Sequence, residues 1–369
     1  MMRLFRRRDE KSAAPMVALS DLGAAHWSAT GALAREGFER NPVVYRCVRL
    51  ISEAAASVPF RVRSKAGDQG DALAALIARP NPDQSGADLM EAFYGHLAIT
   101  GDAFIEAVSL DEDVRELHAL RPDRMRPLKG ARGRLLGWEH RVGGEARAIA
   151  RESDGFLPVL HLRLFHPTND YEGHAPLEAA SRAVDVHNAG GAWTKALIDN
   201  AARPSGALVY SGAQELTGEQ LSELKQDLER AYQGAGNAGR PIVLQGGLDW
   251  KPMSLSPADM DFVEARNMAA REIALAFGVP PMLLGIPGDA TYANYREANS
   301  AFWRLTVLPL VSRAARALSV WLEPRLAGVL APDLETVPAF QEERAAQWAR
   351  IETASFLSLA EKRKLAGLD

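Results

Sequence analysis

Three groupings in this sequence hold residue types capable of chemistry. GAGNAG at 234–239 matches G-x-G-x-x-G, the glycine spacing that lets a strand–turn–helix unit bring a dinucleotide pyrophosphate to a helix N-terminus. His161, His166 and His174 lie within HLRLFHPTNDYEGH, where neutral imidazoles could converge on a metal ion. Asp259, Asp261 and Glu264 supply a run of carboxylates, and Cys47 is the single thiol.

Each grouping is constrained by the element that must position it. GAGNAG follows a helical pattern ending near Tyr232 and precedes the strand-like PIVLQ. That order is inverted, so no helix N-terminus is available to an anion. A flexible connecting loop is the plainer reading, and a nucleotide-binding enzyme using 234–239 is the alternative function. The histidine spacings of five and eight fit no standard zinc pattern, and no HExxH or CxxC accompanies them; they read as strand and loop histidines. The three carboxylates flank a helix start, where they complement its dipole. Cys47 sits on the apolar helical face of NPVVYRCVRLI and reads as a buried thiol. With no Walker A lysine and no G-x-S-x-G elbow, we assign no catalytic, cofactor-binding or metal residue, and expect no enzyme.

Composition bounds the remaining classes. The 369 residues allow two or three domains, or one with insertions. A net charge of −4 argues against a chain that grips nucleic acid tightly through its phosphates, but not against one that lets it pass. One cysteine permits no internal disulfide, which fits a reducing compartment. No stretch reaches the ~18 apolar residues of a membrane span, and MMRLFRRRDEK lacks the apolar run of a signal peptide; we expect a protein made in the cytosol, with no membrane partner. Eight arginines and one lysine lie between Arg121 and Arg151. They read either as a solvated sheet face or as a basic surface for nucleic acid or an acidic partner, with its orientation open.

The expected elements start from a basic arm at 1–40, rich in Ala, Ser, Gly and Arg and without a sustained period. Asn41-Pro42 is an N-cap and first-turn proline for a helix with Val44, Val48, Ile51 and Ala55 on one face. Pro59 stops it before the strand PFRVR. Ser85 and Asp88 form a capping box for a helix lined by Leu89, Phe93 and Leu97, with Gly101 as its stop before the strand AFIEAV. Residues 111–113 read as a hairpin turn, followed to about 165 by strands at HALRPDRMRP, LLGWEHRV and FLPVLHLRLF. The class is α+β with a mainly antiparallel sheet. One long helix is expected from Pro176 to about Asn200, its Gly190-Gly191 pair hinting at helix–helix contact. A small insert has strands GALVY, PIVLQ and LDWKPM and a helix boxed by Thr217 and Gln220. A second long helix starts at Ser256-Pro257-Asp259, faces inward through Phe262, Ala269, Ile273 and Phe277, and stops at Gly278, Val279 and Pro280 in a Schellman arrangement. A polar turn then leads to another helix.

Three ordered stretches resemble tailed-phage portal proteins of the Hong Kong phage type: NPVVYRCVRLISEAAASVPFRVR, RPNPDQSGADLMEAFYGHLAITGDAFIEAV and, most specifically, REIALAFGVPPMLLGIPGDATYANYREAN. The tail SLAEKRKLAGLD is similar to a common C-terminal element of that family through Glu361, Arg363 and Gly367, with Ala360 departing from it. The resemblance implies a portal subunit in a twelve-fold ring at one capsid vertex, through which double-stranded DNA is packaged and ejected. It implies a wing at 41–175, stem helices at 176–201 and 256–277, a clip at 202–255, a tunnel loop region at 278–295 and a helical wing or crown part at 296–369. Gly288, Asp289, Thr291, Tyr292 and Asn294 would line the channel. The implied partners are further copies of the chain, the major capsid protein, the packaging ATPase (terminase large subunit) and a head–tail adaptor. The chain would reside in a virion or phage-like particle, such as a gene transfer particle, assembled in the host cytoplasm, and would carry no cofactor.

Overall fold

The computed structural model describes residues 33–63, 67–199, 206–210, 217–220, 248–252, 262–287 and 292–366, with Gly31, Ser222 and Gln226. Order begins before Asn41. A π-helical segment, Leu33–Glu39, has Leu33 in the core and Gly37 so near Leu177 that a β-carbon would stand 2.6 Å from its methyl group. The expected arm therefore does not extend to residue 40; residues 1–30 lie outside the described residues.

Helix α1, Pro42–Ala56, forms as its cap predicts. The Asn41 side chain accepts hydrogen bonds from the amides of Val43 and Val44, and Val44, Cys47, Val48, Ile51 and Ala55 are buried. Strand β1, Phe60–Arg63, pairs antiparallel with the distant strand Val329–Pro332. Helix α2, Gly67–Ala78, was not anticipated. Helix α3, Gly86–Thr100, has the full capping box of Ser85 and Asp88, buries Leu89, Phe93 and Leu97, and ends at left-handed Gly101.

Strands β2, Asp102–Leu110, and β3, Asp113–Leu120, meet at a tight turn with Asp111 at φ +55°. HALRPDRMRP is not one strand. Pro122 opens a short 3₁₀ turn, Pro122–Arg124, and β4 begins only at Met125, running to Lys129. Strands β5, Leu135–Val142, β6, Glu145–Ala150, and β7, Val159–Arg163, follow. They build two antiparallel three-stranded sheets, ordered β3-β2-β7 and β4-β5-β6. The two share a small core of Phe104, Leu120, Met125, Trp138, Ile149 and Val159.

The long helix expected from Pro176 is divided. A single turn, α4 (Pro176–Ala179), is followed by Ala180 at φ −86°, ψ 0°, which opens the ladder by one step before α5 (Ser181–Asp199). Leu177, Ala180 and Val184 are buried. Strands β8, Gly206–Tyr210, and β9, Leu248–Pro252, pair antiparallel. Between them the Thr217 amide donates to Gln220 Oε1 at 3.0 Å and the Gln220 amide to Thr217 Oγ1 at 3.4 Å, the reciprocal box anticipated there. PIVLQ, GAGNAG and the Ser256-Pro257-Asp259 start lie outside the described residues.

Helix α6, Phe262–Ala276, returns against α5. A β-carbon on Gly190 would lie 3.9 Å from the Arg266 side chain, so one glycine of the pair does face the neighbouring helix, while Gly191 faces open space. Helix α7, Tyr292–Phe302, runs through a π-helical segment, Trp303–Val307, into α8, Leu308–Leu322. This run, Asn294–Leu322, is long and apolar enough by length and composition to cross a membrane, contrary to the sequence expectation. Its apolar stripe of Val307, Val311, Ala314, Ala315, Leu318 and Leu322 lies instead in the main core. Strand β10, Val329–Pro332, and helices α9, Gln341–Thr353, and α10, Leu359–Leu365, complete the described chain. Glu361 serves as the capping partner of Ser358, and Gly367 lies outside the described residues.

Candidate functional site

The distinctive stretch of the sequence is held at both ends by the fold. Helix α6 buries Ala269, Ala270, Ile273 and Ala274 and delivers Phe277 to the core. It stops as its sequence dictates: the Val279 amide bonds the Ala274 carbonyl at 2.9 Å, the Gly278 amide bonds that of Leu275 at 3.0 Å, and Gly278 has φ +65°. Val279 then tucks under the end, 2% exposed. A 3₁₀ turn, Pro281–Leu284, follows and closes on left-handed Gly285.

Two side chains clamp this exit. Thr306 Oγ1, from the π-helical segment, donates to the Gly278 carbonyl at 2.6 Å. Arg271 reaches from α6 to the Pro287 carbonyl. Helix α7 begins at Tyr292. Of the residues singled out in the sequence, Gly288, Asp289 and Thr291 lie outside the described residues. Tyr292 opens α7, and Asn294 lies exposed in its first turn beside exposed Tyr295, Arg296 and Glu297. The connection thus leaves from a rigid seat and re-enters on a helix start that the body does not cover.

The two long helices share that character. Val186 on α5 and Val263, Met268 and Leu275 on α6 are exposed, Val263 to 75% and Leu275 to 79%. The root of the pair is polar and buried. Asn41 Nδ2 lies 3.2 Å from His187 Nδ1 and donates to Asn188 Oδ1 at 2.9 Å, while Asn188 Nδ2 donates to the Glu36 carbonyl at 3.1 Å. Burial, and then the Arg266 charge, hold the His187 pKa below its ordinary value, so the imidazole is neutral and available as an acceptor.

The other candidate groups are spent on structure. Cys47 is fully buried, and burial pushes its thiol up to about 12. His161 lies on β7, 2.7 Å from Asp102 and stacked on Phe104. His166 and His174 meet edge to face at 5.5 Å, and His174 pairs with Glu178. Glu264 falls in the first turn of α6 as expected. In the arginine-rich stretch, Arg121, Arg141 and Arg147 hold Asp123, Glu139 and Glu106.

Sequence reasoning missed the clamps. Arg271 carried no signal, since its bond spans sixteen residues to a main-chain carbonyl. Thr306 offered one: a lone hydroxyl in the apolar run WRLTVLPL.

Comparison with known proteins bears on this arrangement. The family model described as phage portal protein matches residues 42–367. An uncharacterised protein of Rickettsia bellii (strain RML369-C) is 38% identical over 340 residues, covering 90% of this chain and 88% of its own. The portal protein of Enterobacteria phage HK97 is 24% identical over 304 residues, covering 76% of this chain and 66% of that protein. Among solved structures, a chain in the neck of a native gene transfer agent particle, computed with C12 symmetry, is 51% identical with a TM-score of 0.72, covering 92% of this chain and 93% of that one.

Proposed function

The chain belongs to the phage portal protein family, and from that premise we propose that twelve copies close into a ring at one vertex of a phage-like capsid, the conduit for duplex DNA. One observation carries this reading: half of the residues are identical to those of a neck chain in a gene transfer agent particle computed with twelvefold symmetry, over nearly the whole chain. The exposed apolar faces of α5 and α6 support it, because a ring would cover them with the neighbouring copies.

In this reading α5 and α6 are the stem, the unit containing β8 and β9 is the clip, and the two sheets with their helices form the wing. The stretch 288–291, with Tyr292 and Asn294 beyond it, lines the bore. Gly288, Asp289, Thr291, Tyr292 and Asn294 then present small, polar or acidic groups to the cargo. Lysine or arginine there would add salt-dependent affinity for phosphate at each contact, which a conduit must avoid. Asp289 repels phosphate, and Thr291, Tyr292 and Asn294 offer neutral hydrogen bonds. Energy for packaging comes from a separate ATPase, the terminase large subunit. The major capsid protein surrounds the wing, and a head–tail adaptor meets the clip.

A cysteine experiment tests the placement. Cys47 is buried with its thiol pushed up to about 12, so it stays silent to thiol reagents in the native protein. Thr291→Cys then supplies the reactive site. Assembled rings threaded with duplex DNA carrying a thiol-reactive group should cross-link at 291, and a Glu145→Cys control at the tip of β6 should not. Cross-linking at 145 and none at 291 would remove the loop from the bore.

A further inference from the structure

We propose that the end of β4 and the turn that joins it to β5, RPLKGARGR at 126–134, form a docking surface for the phosphate backbone of duplex DNA, separate from the channel loop; DNA as the partner rests on the portal reading above. Eight of the nine cations from Arg121 to Arg151 divide into two classes, with half-buried Arg124 in neither. Arg121, Arg141 and Arg147 each hold a carboxylate at 2.5–3.0 Å, and Arg151 Nη1 bonds the Gly155 carbonyl. Arg126, Lys129, Arg132 and Arg134 are exposed, and among the described residues none has a carboxylate at ion-pairing distance. The acids that could have served are engaged or set apart. Glu139, opposite Arg126 in the register, is held by Arg141. Glu172, on the facing loop, accepts from Asn169 Nδ2 at 2.9 Å, and Asp170 beside it makes no pair with the turn.

The turn is also fixed in place. Gly130 donates its amide to the Arg134 carbonyl at 2.8 Å, and Gly133 donates to that of Gly130 at 3.2 Å. Tyr171 donates its hydroxyl to the Gly133 carbonyl and lies under Lys129 Nζ, which stands 4.1 Å from the ring centroid. Arg132 is held at φ +60°. Four like charges on one pinned segment repel one another, and among the described residues no carboxylate pairs with them. A polyanion does, at little cost in ordering the main chain. Three of the four are guanidiniums, whose planar fork matches phosphate oxygens. The remaining exposed residues of the turn are Ala131 and Gly133, so it offers none of the aromatic anchors on which protein interfaces concentrate their energy.

Four phosphate contacts predict a salt slope of about −3.6, which is roughly a 150-fold loss of affinity between about 50 and 200 mM salt. The test measures binding of the full-length protein to a labelled duplex across that range, alongside imaging of the same samples for rings. R126Q/R132Q/R134Q should keep only a three- to four-fold salt response, about that of one contact. A control with the same charge loss at carboxylate-paired arginines, R40Q/R115Q/R121Q, should keep the wild-type slope. Equal slopes in the two variants, no binding of duplex by the wild type, or a preference of the wild type for polyglutamate over duplex would each overturn the surface. Rings whose duplex binding ignores the turn would sink this inference and leave the portal reading standing. Turn-dependent binding by a protein that forms no ring would uphold the surface and count against that reading.

Discussion

Replacing Gly278 with alanine tests how the exit from α6 is seated. Gly278 holds φ +65°, which costs an L-residue about 1–2 kcal/mol. The added β-carbon would stand 2.8 Å from Thr306 Oγ1, inside the distance any real β-carbon keeps from an oxygen. Relief requires the hydroxyl to swing away, and its 2.6 Å bond to the Gly278 carbonyl is then lost, at about 1 kcal/mol. Together the substitution should destabilise by about 2–3 kcal/mol. The assay is urea denaturation of the wild type, G278A, T306A and the double variant. T306A alone should cost about 1 kcal/mol, from the hydrogen bond. In the double variant the clash is gone, so the two losses should sum to about 1 kcal/mol more than is measured, above the few tenths expected of independent sites. A loss below about 0.5 kcal/mol for G278A, or strict additivity, would refute the reasoning.

Three further outcomes are expected. Asn41→Ala removes both the cap of α1 and the donor to His187 and Asn188; it should cost about 3 kcal/mol by thermal unfolding, and a loss under about 1 would mean the root network is solvated. Burial holds His187, His96 and His140 below the ordinary histidine pKa of about 6.5, so the unfolded chain takes up protons first as pH falls. Stability is then complete above that value and declines as pH drops through it, and H187Q should lose less between pH of about 7.5 and 5.5 than the wild type. Cys47 should resist a maleimide in the folded protein and react on unfolding, and stoichiometric labelling of the native state would contradict its burial.

The caps and stops were legible because local chemistry fixes them. Asn41-Pro42, the Ser85–Asp88 box, the Thr217–Gln220 box and the Gly278-Val279 stop each involve residues within a few positions of one another, and each forms as written. The elements that were missed depend on distant partners. Strand β10 exists because Val329–Pro332 finds Phe60–Arg63, and β6 because Glu145–Ala150 finds β5; neither segment announces a strand by itself. The same holds at the site. The polar loop could be read from composition, whereas the clamps from Arg271 and Thr306 act on main-chain carbonyls, which leave no pattern in sequence. Leu33 was passed over because its segment carries no sustained period, although the side chain is buried in the main core.

The central claim is a ring with a DNA-wide bore, and imaging of the purified protein at high concentration, with its mass in solution measured alongside, tests it most directly. The account predicts closed rings of twelve subunits with an open axis, the exposed faces of α5 and α6 buried between neighbours. A protein that stays monomeric at every concentration, and binds nucleotide saturably until Gly234 or Gly236 is substituted, would contradict it.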